Sequence, residues 1–482
     1  MVFSSIPFLF FFFPLCLIFY FLTPNRFKNY VLLVFSLIFY AWGEPIYIFL
    51  MIVSTLVDFI NGRILSKNNN EKTRKRFLII AILINLSLLG VFKYADFVVD
   101  IINHLFNTSI DPLHLSLPIG ISFYTFQTMS YSIDVYRRVV EPETNYFRYL
   151  TYVSMFPQLI AGPIVRYETI NKELHERKIS FNQIGDGFYR FLTGLYKKVL
   201  LGNTIGKLNA TIMASNLSSQ STLTLWLGII AYALQIYFDF SGYSDMAIGM
   251  GKMLGFSFNE NFDYPYTSKS ITEFWRRWHI SLGTWFKDYV MFPLLKSRLI
   301  QKLQRVLKEK VNKNVARKTV SVLGIGIVFF VTGLWHGANY NFLLWGMYYG
   351  VILIIEELFL KKYLDKNKLS FFNHLYVIFV VLIGYTIFSI EDLSILGNYL
   401  KMLFNFKNII IDSNFMYYLT NYGLLIVLGI FFSLPIWKNI TIKYQNNKIF
   451  NIVVGTIYLV LFIISVCYLV SDTYNPFMYF RF

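Results

Sequence analysis

"FVTGLWHGANYNFLLWGM", residues 330–347, sets one histidine, His336, between Trp335 and Gly337 in a run that otherwise reads as membrane helix. The segments 319–335 and 341–360 that contain it are apolar over lengths near the roughly 20 residues needed to cross a bilayer. Working outward, similar runs lie at 7–23, 28–42, 45–61, 77–95, 118–133, 222–240, 371–390, 415–434 and 450–470. The pattern predicts an all-α polytopic membrane protein with roughly 11 transmembrane helices. Residues 149–164, 186–203 and 241–295 are apolar but broken by Gly, Pro and charge, which suits re-entrant or tilted helices buried in protein, because irregular backbone is not tolerated against lipid.

Composition agrees. Of 482 residues 56% are hydrophobic and only 15% charged, against about 25% charged in soluble domains. Fifty Phe, 35 Tyr and eight Trp supply bulk for a thick core and for the water boundaries. The net charge of +17 does not point to nucleic acid, since Lys and Arg sit in short segments between apolar runs. Cys16 and Cys467 both lie in apolar runs, so neither a disulfide framework nor a thiolate metal site is indicated. Residues 1–23 lack a charged n-region and an A-x-A site and read as a retained first span. The whole chain, 1–482, reads as a single integral-membrane domain.

Positive charge sets the orientation. "SKNNNEKTRKR" (66–76), "KKYLDKNK" (361–368) and "KNITIKYQNNK" (438–448) read as cytoplasmic, and 96–117, without Lys or Arg, as outside. Both termini then fall outside, with 471–482 an extracytoplasmic tail; Lys401 and Lys407 run against this assignment. Residues 296–318 carry nine basic residues and one acidic residue, with Leu299, Leu303, Val306, Leu307, Val311 and Val315 on one face. They read as an amphipathic helix on the cytoplasmic surface, where anionic membrane lipids are its partners.

Ionisable groups at membrane depth are costly and are therefore functional candidates. His104, His114, His175 and His374 fall in loops or at a span entrance, whereas His279 and His336 lie among Trp and Gly in apolar surroundings. No H-x-x-x-H, H-E-x-x-H or Cys/His cluster suggests a metal, and no G-x-S-x-G elbow suggests a serine hydrolase. A neutral imidazole acting as general base is what remains. On spacing alone, His336 is equally a hydrogen-bonded contact between helices. Asn339 shares its face if the helix continues, and Gly333 and Gly337 allow close backbone approach.

The combination of "FDFSGYSD" (238–245), "EFWRRWHISL" (273–282) and "GLWHGA" (333–338) resembles the membrane-bound O-acyltransferase family. The likeness is to its bacterial branch of alginate and peptidoglycan O-acetyltransferase membrane subunits, and it extends nearly end to end, from "VFSSIPFLFFF" to "NPFMYFRF". It implies a ring of tilted helices with a funnel from each face, a place in the bacterial cytoplasmic membrane, and transfer of an acyl group, acetyl by the branch, from a cytosolic thioester such as acetyl-CoA to an extracytoplasmic polysaccharide. No bound cofactor is implied. His336 maps onto the family's catalytic histidine; His279, its second recurrent polar site, stays divided between tunnel chemistry and structural bonding. Trp335 and Asn339 flank His336 as lining or orienting residues.

Asp239, Ser241, Tyr243, Ser244 and Asp245 line the cytoplasmic funnel or cap a helix break, and Arg276 and Arg277 bind donor phosphates or pair with Glu273. Tyr479 is either an acyl relay to a separate extracytoplasmic acetyltransferase partner or an interfacial anchor. The alternatives are a D-alanyl transferase of teichoic acid fed by a carrier protein and, from another class, a transporter or flippase with His336 in a proton relay.

Overall fold

The computed structural model describes residues 1–160, 162–364, 370–406 and 409–471. Every regular element among them is a helix. Eight are long and apolar enough to cross a membrane: Tyr47–Lys67, Glu71–Phe106, Thr222–Met253, Lys313–His336, Tyr340–Leu364, Ser370–Ser389, Ser413–Phe432 and Lys448–Ser471. The other three expected spans are also helical, as Phe8–Leu22, Lys28–Gly43 and Ile121–Tyr136. Each is shorter than a full crossing; 16 residues rise only about 24 Å against a hydrocarbon core of roughly 30 Å.

Local chemistry moved several boundaries. Glu71–Phe106 runs 36 residues, well into the expected outer loop. The expected 296–318 helix divides at Asn312, whose side chain accepts from Val315 N at 2.8 Å and starts a new helix. Arg298–Lys310 is therefore the basic surface segment, capped by Ser297, while 313–318 open the following span. The break expected around "FSGYSD" does not occur. Thr222–Met253 is one continuous helix, and Gly242 within it lies against Gly194, where a Cβ would meet the Gly242 carbonyl oxygen.

The chain forms two compact units. The first comprises Met1–Leu195 and Gly242–Glu260 with Leu469–Ser471; the second, Tyr196–Ser241 and Asn261–Tyr468. In the first, helices meet through small and polar residues, as expected where apolar surface alone gives no preference between helix and lipid. A Cβ on Gly187 would stand 2.6 Å from Gly249 O, and one on Gly194 would strike the Gly242 carbonyl. Buried Asp58 accepts from Asn85 Nδ2 at 2.8 Å and Ser132 Oγ at 2.7 Å, joining three helices. Buried Arg74 donates to Leu65 O and Tyr136 O, carbonyls in the last turns of two helices, where positive charge complements the dipoles.

In the second unit the start of Thr222–Met253 is clamped. Tyr399 Oη donates to Leu225 O at 2.8 Å, and Trp226 Nε1 to Leu403 O at 3.0 Å. Asp412 accepts from Ser221 Oγ at 3.0 Å, Thr224 Oγ1 at 2.8 Å and Phe415 N at 2.8 Å. Lys313–His336 and Tyr340–Ile355 cross on two glycines: a Cβ on Gly333 would lie 2.5 Å from Phe342 O, and one on Gly346 would lie 2.5 Å from Phe329 O.

Candidate active site

His336 is the last residue of its helix. Gly337 then turns the chain out in extended geometry, φ 177°, and a Cβ there would meet the Phe342 ring at 2.5 Å. The helix stops at this point, so Asn339 does not share a helical face with His336; it is instead the extended N-cap residue of Tyr340–Ile355. Asn341 takes the more important place. Fully buried, it donates to Phe388 O at 3.0 Å and Ile387 O at 3.4 Å, fixing the end of Ser370–Ser389. Phe388 and Trp345 then stand edge-on to the imidazole of His336, with ring centroids at 5.1 and 4.9 Å. Trp335 lies 4.9 Å from that ring and 6.3 Å from His279, so one indole touches both histidines.

His279 precedes the short helix Ile280–Phe286 in left-handed backbone, φ 46° and ψ 54°. Such geometry costs a β-carbon residue about 1–2 kcal/mol and is held only where surroundings impose it. Here Asn261 imposes it. Its main-chain carbonyl accepts from Ile280 N at 2.9 Å, and its Oδ1 lies 3.1 Å from His279 Nδ1, 3.2 Å from Ser281 N and 2.9 Å from Ser281 Oγ. Phe240 packs edge-on to the ring at 4.7 Å, and the ring is buried.

Both histidines line one cavity of about 50 Å³ together with Asp239 and Tyr385, the remaining walls being Ile236, Phe240, Trp275, Trp278, Leu282, Trp345 and Phe388. Asp239 forms an ion pair with Lys198 at 2.5 Å, and Lys198 Nζ also reaches Asn203 Oδ1 at 2.8 Å. Lys198 is fully buried. It was legible in principle, as a lysine inside the apolar stretch 186–203.

A second residue outside the sequence-based set is Glu356. Its carboxylate accepts from Ile271 N at 2.6 Å, Thr272 N at 2.8 Å, Thr272 Oγ1 at 2.7 Å and Tyr376 Oη at 3.2 Å. With Ser270 Oγ accepting from Glu273 N, the first three N–H groups of Ile271–Arg277 are satisfied and a carboxylate faces the positive helix end. That helix carries Trp275 into the cavity wall and leads directly to Trp278 and His279.

The remaining candidates do not converge on the cavity. Arg277 pairs with Glu273 at 2.8 Å and Asp263 at 3.5 Å, and Arg276 is exposed. Asp245, in the first unit, is held by Arg190 at 2.6 Å, which also binds Glu260. Tyr479 lies outside the described residues. No group of His, Cys, Asp and Glu suited to a metal occurs among the described residues. The polar groups of the cavity wall are the two imidazoles, the Asp239 carboxylate and the Tyr385 hydroxyl, and an imidazole there can exchange a proton with a bound hydroxyl.

Comparison with known proteins places these features. A model of the membrane-bound O-acyltransferase family matches residues 104–308, a span that includes His279 and ends before His336. The probable alginate O-acetylase AlgI of Pseudomonas aeruginosa is 38% identical over 411 residues, covering 84% of this chain and 75% of that protein. The Pseudomonas putida protein of the same name is 35% identical over 507 residues, 100% of both chains. The peptidoglycan O-acetyltransferase of Helicobacter pylori is 30% identical over 74% of this chain and 70% of its own. A teichoic acid D-alanyltransferase of Bacillus subtilis is 28% identical over 58% of this chain and 70% of its own.

Proposed function

The chain belongs to the membrane-bound O-acyltransferase family and is a multi-pass membrane O-acyltransferase, and from that premise we propose that it moves an acetyl group from acetyl-CoA to an extracytoplasmic polysaccharide hydroxyl. His336 is the general base. The observation that carries this reading is an aromatic-walled cavity that His336, His279 and Asp239 all line. Relatives named for acetyl transfer match more of this chain, 74% or more against 52% and 58% for the two teichoic acid D-alanyltransferases, which favours acetyl over D-alanyl.

In the proposed step His336 removes the proton from the acceptor hydroxyl, and the oxygen attacks the thioester carbonyl carbon. The tetrahedral intermediate collapses with cleavage of the C–S bond, and the thiolate recovers the proton from the imidazolium. An O-acetyl ester and a free thiol result. Aromatic walls keep water from competing for the acyl group. In this reading a partner enzyme outside the membrane completes delivery, and Tyr479 is the candidate relay toward it. Purified protein given radiolabelled acetyl-CoA should pass label to acceptor or partner, His336→Ala should lose 10²- to 10⁴-fold in rate, and Tyr479→Phe should lose delivery to the partner alone. Absence of transfer from acetyl-CoA, with or without a partner, would refute the reading.

A further inference from the structure

We propose that Asn261 is a positioning residue that keeps the proton of His279 on Nδ1, so that Nε2 is the unprotonated nitrogen brought to the cavity shared with His336. The assignment follows from one group whose role is not adjustable. The main-chain N–H of Ser281 can only donate, and it lies 3.2 Å from the Asn261 side-chain atom that must therefore be oxygen. The Ser281 hydroxyl donates to the same atom at 2.9 Å. Turning the amide over would set its NH₂ against that main-chain donor. With the oxygen fixed, the nitrogen 3.1 Å away, His279 Nδ1, must carry hydrogen, and a neutral ring then has its lone pair on Nε2.

Nε2 is buried and has no hydrogen-bond partner among the described residues. A buried acceptor is rarely left unmatched. In a cavity whose walls are otherwise mainly aromatic, it selects a neutral O–H or N–H donor on the substrate and disfavours an anion. His279 thus holds a protic substrate group while His336 performs the transfer. This division of labour rests on the acyl-transfer reading; the tautomer does not.

The test reads the tautomer directly. ¹⁵N-histidine NMR of the full chain in nanodiscs, with the His279 signals assigned by difference against His279→Gln, should show a protonated Nδ1 and an unprotonated Nε2. Asn261→Ala should convert this to mixed tautomers and lower kcat/KM about two- to fivefold, in proportion to the Nδ1–H tautomer lost and with KM rising, because a ring protonated on Nε2 no longer accepts from the substrate. Asn261→Asp keeps the acceptor for Ser281 and Nδ1 but adds a negative charge, so His279 should take its second proton about one pH unit or more higher. The other ionisable groups around the cavity, Asp239, Lys198, His336 and Tyr385, are the same in all variants. An Nε2–H tautomer in the wild type, or an unchanged tautomer in Asn261→Ala, overturns the proposal. If Asn261→Ala does not fold, an Asn261→Asp titration identical to wild type overturns it equally. The expected tautomer in a protein that transfers no acetyl group would sink the functional reading and leave this one standing.

Discussion

Replacing Glu356 with alanine tests whether the segment that leads to His279 is held from its N-terminal end. Four donors lose their acceptor, among them the N–H groups of Ile271 and Thr272 at 2.6 and 2.8 Å. Each buried main-chain donor left unpaired costs about 1–3 kcal/mol, so the pair gives roughly 4 kcal/mol for Glu356→Ala. Glutamine keeps one oxygen acceptor but turns an NH₂ toward another donor, and about half of that loss is expected. The same change frees the helix that places Trp275, Trp278 and His279, and misplacement by about 1 Å is enough for a 10²-fold loss of rate. Thermal midpoints by fluorescence-detected size exclusion, together with kcat/KM for acetyl transfer, should rank wild type above Gln above Ala on both scales. An alanine variant within twofold of wild-type kcat/KM and with an unchanged midpoint would show that the anchor is not needed.

Two further outcomes follow from the second unit. Gly346→Val places branched atoms where even a Cβ lies 2.5 Å from Phe329 O and 3.1 Å from Gly333 Cα; a loss of about 1–3 kcal/mol or more and impaired transfer are expected, and a fully active, equally stable variant would contradict the close crossing. Asp412 is pulled in two directions: burial alone would raise its pKa, but hydrogen bonds from Phe415, Thr224 and Ser221 outweigh this and leave it lowered. A depressed carboxyl stabilises fully above its unfolded pKa, about 3.9, and its contribution fades as pH falls below that value. The midpoint difference between wild type and Asp412→Asn should therefore be constant from pH 6 to 7 and shrink below about pH 4; a difference independent of pH would remove the carboxylate from the argument.

The membrane class and the eight long apolar helices were legible because continuous apolar length is a one-dimensional property, whereas three of the expected spans are helices shorter than a full crossing. The pairing of His336 with His279 was visible as two histidines in unusual surroundings, but the resemblance, not their spacing, linked them to one reaction. What escaped depends on contacts far apart in the chain. Asn261 lies 18 residues before His279, Glu356 some 85 after Ile271, and Lys198 far from the helix of Asp239. Nothing in the immediate neighbours of Asn261 or Glu356 marks them, and the apolar stretch around Lys198 marks the lysine but not its partner. The reading at Asn339 failed for a local reason, since the glycine that admits Phe342 also ends the helix. The supposed cap residues of "FSGYSD" failed because small polar residues serve close helix contact in a membrane as readily as they serve turns.

The left-handed backbone at His279 bears on how this protein would be engineered. Asparagine or glycine adopts that geometry more easily than histidine, and glycine would also remove the buried ring nitrogen. A library screened only for survival in detergent would therefore enrich replacements at position 279, and on the proposed role of His279 the hardiest clones for structure determination would be ones that no longer turn over.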